Sequence, residues 1–415
     1  MRIKDIEIMW LDVPFHPIPE RNMSRQNWGW RISEICRVET DNGIVGYGET
    51  LPNYTWGKVS EEAIARAKGQ NPFDIMWDDA LGAGLQMACF DAAGKAAGVP
   101  VHRLLGNKVR DWCPISWWGV DMSPEDYAAE AKEAVRQGYM SFKQKARPWW
   151  DVYEQAKLTC EAVPRNFKLD FDFNEHLINS AHAVSVLREL DQYPNIAIYE
   201  EPIPRDDIEG NKRVRAATRC AIALHYQPKM AVANVLNDMC DGYVVNVGVS
   251  GVMRANGFCA AANKLFWLQL VGTAWTTALT VHLGAVCTHA QWPAVTCMNM
   301  YTNVLAKNPI EIKGGYARVP EGPGLGLEFD ESALKYRVKS SKRENARAIY
   351  AVVRENKDRV WYLGEYGPLG YWSQSWAGNL PASFERGVTL ETWADDGSQD
   401  WRKLYERVQK APVRE

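Results

Sequence analysis

Phe142-Lys143-Gln144-Lys145, Leu169-Asp170-Phe171-Asp172-Phe173-Asn174 and Ile198-Tyr199-Glu200-Glu201-Pro202 are three apolar, strand-prone runs with charges set inside them. Alternate residues of a strand share a face, so Lys143 and Lys145 point one way, as do Asp170, Asp172 and Asn174. Lysine and aspartate are rarely buried unless they are paired or bound to a metal. Lys143 and Asp172 are 29 residues apart and Asp172 and Glu200 are 28 apart. That is the length of one strand–helix–loop unit of a parallel barrel, whose active site lies at the C-terminal strand ends. The three runs therefore predict one polar site assembled from neighbouring strands.

Around these runs, strands are expected near 114–119, 140–145, 168–173, 196–200, 220–225, 242–247 and 267–272, separated by helical stretches such as 125–137 and 150–163. Alternating strands and helices imply right-handed βαβ units and a parallel sheet. Before them, 1–60 reads as a meander: a strand near 2–12, a polar loop from Pro14 to Arg31, a strand near 32–40, a turn at Asp41-Asn42-Gly43 and a third strand to Glu49. Residues 61–108 have helical periodicity and stop at Gly98-Val99-Pro100. After 303 the chain is turn-rich. A charged stretch at 341–357 reads as a helix, and the tail beyond it is dense in aromatics, including Trp361, Tyr371, Trp372, Trp376, Trp393 and Trp401. Such a tail is expected to be a packed appendage.

With 415 residues, two domains are expected. A net charge of −3 gives no electrostatic reason for a nucleic-acid or anionic-membrane partner. No run reaches the ~18 apolar residues of a membrane helix. Nine cysteines without a CxxC pair read as free thiols in a reducing compartment, and a cytoplasmic location is expected.

Further strings carry a family resemblance. Gly43-Ile-Val-Gly-Tyr-Gly-Glu49, the helix from Phe90-Asp91 through Lys95 to Gly106, and Gly322-Pro-Gly-Leu-Gly326 occur in the order and spacing of the enolase superfamily. Within it, the chain resembles the mandelate racemase and muconate lactonizing enzyme branch over about residues 1–337. The resemblance implies an α/β fold, a modified TIM barrel, (β/α)7β, under an α+β capping domain built from both termini. The domains expected are 1–112 for the N-terminal capping part, 113–310 for the barrel, and 311–415 for the return to the cap plus an aromatic-rich extension. A homo-oligomer is implied as well.

Residue by residue, Lys143-Gln-Lys145 matches the family's Lys-x-Lys, which makes Lys145 the base and Lys143 its partner. Asp172 and Glu200 match the first two metal ligands, with Asn174 beside them. The cofactor implied is Mg²⁺, with Mn²⁺ or another divalent ion as substitutes. Arg147 suits bidentate carboxylate binding. The loop after the first strand lies over the site in this family, so His16, Arg21, Arg25, Trp28 and Arg31 are candidate substrate contacts.

The sequence also departs from the pattern. The fifth barrel strand ends Leu224-His225-Tyr226 with no acid, the sixth offers Asn246, taken with Asn174 as a candidate substrate contact, and the seventh lacks a catalytic histidine. His225 or Tyr226 stands where the third metal ligand belongs, so weak metal binding is expected. Lysine–histidine racemisation is disfavoured, because the second base is missing. One-base chemistry remains: Lys145 removes the proton α to a small carboxylate substrate, giving dehydration of an acid sugar or related hydroxy acid. His225 is then a ligand or general acid. The other reading is a catalytically degenerate member that binds carbohydrates or carboxylates.

Overall fold

The structure is a computed structural model describing residues 1–415 except 53, 55–56, 343–345, 355–359, 365–369 and 381–383, and omitting the side chain of Trp28. Strands β1 (Ile3–Asp12), β2 (Ile32–Thr40) and β3 (Val45–Thr50) form the expected meander. A late strand pairs with β1, giving the antiparallel order β14-β1-β2-β3 once β14 (Arg337–Val338) is counted. The span Pro14–Arg31 is more ordered than a loop: it holds a helix, Pro17–Met23, and a 3-10 turn, Trp28–Arg31. Proline in the first turn, where its missing N–H costs nothing, starts that helix.

The Gly-Tyr-Gly of β3 is explained by contact with the helix Ala83–Ala97. A Cβ on Gly46 would lie 2.2 Å from the Ala88 carbonyl oxygen, and one on Gly48 2.0 Å from that of Gly84. Only glycine allows this approach. On the same helix Asp91 accepts backbone N–H bonds from Tyr47 at 2.9 Å and Leu325 at 2.8 Å, tying the returning segment to the cap.

Seven parallel strands follow: β4 (Trp112–Trp118), β5 (Ser141–Lys145), β6 (Lys168–Asp172), β7 (Ile196–Glu200), β8 (Ala221–His225), β9 (Gly242–Val245) and β10 (Leu265–Leu268). The short β11 (Ala294–Val295) pairs in parallel with β4, while Val295 bridges Gln269 just past β10. These contacts close the (β/α)7β barrel. An antiparallel hairpin, β12 (Ile312–Lys313) and β13 (Tyr316–Arg318), pairs with the N-terminal residues of β4, Trp112 to Pro114. Glu49 joins cap to barrel: fully buried, it accepts N–H bonds from Thr273 and Thr276 at the start of the helix Ala274–Val286, where the helix dipole favours a carboxylate.

The tail corrects one expectation. Residues 348–353 of the presumed charged helix at 341–357 form β15 (Ala348–Val353), while 343–345 and 355–357 lie outside the described residues. The run Ala-Ile-Tyr-Ala-Val-Val is β-branched, aromatic and buried throughout, and this burial outweighs the flanking charges. With β16 (Val360–Leu363), β17 (Thr389–Ala394) and β18 (Val413–Arg414) it makes a third, antiparallel sheet of order β17-β15-β16-β18. No helix among the described residues is long and apolar enough to cross a membrane. All nine cysteines are free.

Candidate active site

The register of the barrel brings the charges of the opening strings together. Lys143 pairs laterally with Asp170, Lys145 with Asp172, and Asp172 with Glu200. Between the two lysines, Gln144 turns outward and bonds Thr159 at 3.2 Å. Asp172 receives both ammonium groups on one oxygen, Lys145 closely and Lys143 at 3.4 Å, while its other oxygen accepts the Asn174 N–H at 2.9 Å. Lys143 also meets Glu200, donates to Gln269 at 2.6 Å and lies over the Trp267 ring.

Burial then separates the lysines. For Lys143 desolvation opposes the charge, but Glu200 and Asp172 outweigh it and hold the ammonium above its ordinary range. For Lys145 desolvation, joined by the neighbouring Lys143 charge, prevails over Asp172 and pulls the amine below its ordinary range. Asp172 resists burial because the two lysines and Arg147 keep it ionised well below the usual carboxylate range.

A cavity of about 520 Å³ opens above these strand ends, within the range of small-molecule sites. Lys145, Arg147, Asp172, Asn174, His225 and Arg25 line it. Lys143 and Glu200 are not at its surface; they are fully buried beneath. Asn246 is not there either. It lines a second cavity with Asp79, Tyr226 and Arg254, because the strand end after β9 turns it outward. Of the loop candidates, Arg21 pairs with Asp126, Arg31 with Asp12 and Glu20, and His16 lines a separate cavity beside Glu130. The side chain of Trp28 lies outside the described residues.

His225 and Tyr226 face different ways. His225 Nδ1 lies 2.8 Å from Glu201, whose second oxygen meets Arg205 at 3.2 Å. Burial opposes the imidazolium, but Glu201 and Glu200 prevail and raise its pKa. Tyr226 packs on Tyr243 and Phe258, away from the carboxylates. Glu201 sits at φ 41°, a conformation costly for this residue type, and its bonds to His225 and Arg205 hold it there. Asp170, on the same strand face, has no cation within 4.0 Å among the described residues; desolvation pushes it up to about 7.

Several lining residues carried no sequence signal of their own. Asp121 accepts bonds from Arg25 at 3.0 Å and from the indoles of Trp149 and Trp150 at 2.9 and 3.0 Å. Gln269 and Tyr54 bond each other at 3.0 Å, and the extension contributes Tyr371 and Trp372. The aromatic density of the tail was the only hint of the last two.

Residues 126–333 match the family described as "Enolase C-terminal domain-like". The chain belongs to the enolase superfamily. Its branch is that of mandelate racemase and muconate lactonizing enzyme. An N-succinyl-L-Arg/Lys racemase of Bacillus cereus is 26% identical over 335 residues, covering 73% of this chain and 89% of the relative. A D-gluconate dehydratase of Thermoproteus tenax is 26% identical over 363 residues, covering 75% of this chain and 71% of the relative. The crystal structure of the Bacillus cereus racemase superposes with a TM-score of 0.67 at 22% identity, over 81% of this chain and 98% of that one.

Superfamily members generally use Mg²⁺. The donors here do not complete such a site. Asp172 and Glu200 are adjacent, and neither Glu200 oxygen has a hydrogen-bond partner among the described residues, although Lys143 lies against one of them. The third position, however, is an imidazole whose Nδ1 is engaged by Glu201 and stands 3.8 Å from Glu200. Lysine ammonium groups meet both carboxylates, and no cluster of three His, Cys, Asp or Glu able to hold a metal occurs among the described residues. Hard, octahedral Mg²⁺ favours oxygen donors, and the expected set of Asp172, Glu200 and His225 does not gather into one.

Proposed function

We propose that the protein abstracts the proton α to a small carboxylate and dehydrates a hydroxy acid of the acid-sugar type. The observation that carries this reading is the pair of proton-transfer groups on one cavity: Lys145, with its pKa lowered, and His225, with its pKa raised. Arg147 and Asn174 anchor the substrate carboxylate. The Lys145 amine takes the α-proton, and the electron pair moves into the enolate. That pair then forms the C–C double bond as the β-hydroxyl leaves with a proton from His225, and the enol product tautomerises to a 2-keto acid. Lys143, protonated beneath the floor, supplies fixed positive charge as negative charge develops. Relatives named as gluconate and galactonate dehydratases support the substrate class. Free thiols throughout the chain fit a reducing cytoplasm.

A binding-only reading draws on the incomplete donor set. NMR of gluconate or galactonate with the protein in deuterated water separates the two. Exchange or loss of the α-proton, abolished by Lys145→Ala, is the expected result, whereas saturable binding without exchange would leave binding alone.

A further inference from the structure

The family match ends at residue 333, yet the tail beyond it reaches the cavity. The route is continuous. Past β5, Trp149 and Trp150 leave the barrel and enter the apolar cluster of the third sheet, with Tyr350, Val352, Trp361, Leu363 and Leu390. Asp121 fixes both indole N–H groups. The cluster in turn places the helix Tyr371–Trp376, whose Tyr371 ring meets Trp149 edge-on at 4.9 Å. One residue on, Trp372 lies against Arg147, its ring centre 4.7 Å from the guanidinium carbon.

Arg147 is the unusual member of the lining. The other cations are matched: Arg25 by Asp121, Lys145 by Asp172, and His225 by Glu201. Arg147 is 1% exposed, yet no carboxylate among the described residues lies within 4.0 Å of its guanidinium. It donates to the backbone carbonyls of Ala146 and Asp172 at 2.8 and 2.7 Å and to the Asn174 side chain, and its Nε has no partner among the described residues. A buried cation without a counter-ion is costly unless a ligand provides one. The indole supplies partial compensation through its π-face and keeps water from the charge.

We propose that the C-terminal extension is a specificity element, in which Trp372 and Arg147 together select a monocarboxylate whose CH-rich face packs on the indole. The inference rests on reading this cavity as the substrate site. One uncompensated cation calls for one negative charge, so a second carboxylate would enter without a partner. Trp30 and Trp118, stacked 5.4 Å apart, extend the aromatic lining along the rest of the cavity. Hydrocarbon faces of hydroxy acids bury well against such rings.

Gluconate and glucarate test this, because they share a hydroxylated carbon chain and differ by one carboxylate. Calorimetric titration of the full chain is expected to give at least 10-fold tighter binding of gluconate. Trp372→Ala should weaken gluconate about 10-fold, whereas Trp372→Phe, which keeps a ring, should weaken it less than 3-fold; melting temperatures of both variants establish that the fold survives. Equal gluconate affinity in the wild type and a folded Trp372→Ala, tighter binding of glucarate, or no saturable binding of either acid would each overturn the proposal. The α-proton exchange measurement reads the catalytic proposal separately. Trp372-dependent binding without exchange would sink the dehydration and leave the specificity element. Exchange together with a gluconate affinity that ignores Trp372 would do the reverse.

Discussion

The strand ends of β5 to β8 and the extension 348–415 both reach the cavity, but they contribute different materials. The strand ends supply Lys145, Asp172 and His225, each bound into an ion pair. The extension supplies Gly370, Tyr371, Trp372 and Ser373, with no acidic or basic residue among them, carried on an apolar cluster. Paired buried charges are held by the low dielectric around them, and removal of one partner strands the other. Aromatic walls are held by area and shape, and they tolerate a change of ring. If the floor carries the proposed chemistry and the wall the proposed fit, substitutions in the two regions should fail in different observables.

The largest effect is expected on the floor. Lys145→Ala should lower α-proton exchange by ~10²–10⁴-fold, the usual range for loss of a general base, with substrate affinity within a few-fold. NMR exchange rates and calorimetry check the two halves. A variant that loses affinity but keeps exchange would reverse the assignment of floor and wall. Next comes the root of the wall. Trp149→Ala removes a fully buried indole at the junction, and large-to-small changes of this kind cost about 3–5 kcal/mol. Limited proteolysis should then cut first within 348–415 while the barrel persists. Simultaneous loss of both would show that the two regions fold as one unit.

Much of the floor was legible because strand periodicity and βα spacing are local properties of the sequence. Lys143, Asp172 and Glu200 fell on adjacent strand ends for that reason. Periodicity does not measure depth, however. Lys143 and Glu200 share a face with Lys145 or Asp172 yet lie below the cavity surface, since only tertiary packing decides which layer of a barrel a side chain occupies. Asn246 fails similarly: β9 ends at Val245, and the residue following it points to another cavity. The wall was legible only as aromatic density in the tail, without a place in the fold. Tyr371 and Trp372 are more than 220 residues from Lys145 in the chain and meet it only through the fold of the third sheet. The charged flanks of 341–357 masked a buried strand, because composition over a window dilutes a six-residue apolar run.

Asp170, on the floor, should give an effect of intermediate size. Its carboxyl is pushed up to about 7 by desolvation, Lys143 opposing and Glu200 adding to the shift. A carboxyl whose folded pKa lies above its unfolded value of about 3.9 binds its proton more tightly in the folded state. Below about pH 4 it is protonated in both states and costs nothing; as the pH rises through 7 the folded protein loses stability on its account. Asp170→Asn should therefore be neutral near pH 4 and stabilising near pH 8, by up to about 2–4 kcal/mol at 1.36 kcal/mol per pK unit. Denaturant titrations at both values decide it. A gain of the same size at both would mean that the effect is packing and not charge.

The smallest expected effect tests the far side of the floor. His225 is held as an imidazolium against burial by Glu201 and Glu200, so its folded pKa exceeds the ordinary 6.5 or so. The sign is opposite to that of Asp170. The stabilisation is fully present below about pH 6.5 and fades as the pH climbs through the raised value. His225→Asn removes it, and a hydrogen bond to a charged group contributes about 1.5–3 kcal/mol at most, part of which Asn restores as a neutral donor to Glu201. The deficit of the variant against wild type should be near 1 kcal/mol at about pH 6 and should shrink toward about pH 9. In activity, the same substitution should slow loss of the β-hydroxyl more than exchange of the α-proton, because Lys145 and its partners are untouched. Equal slowing of both steps would place His225 with Lys145 in proton abstraction, and the floor would then hold two bases in place of a base and an acid.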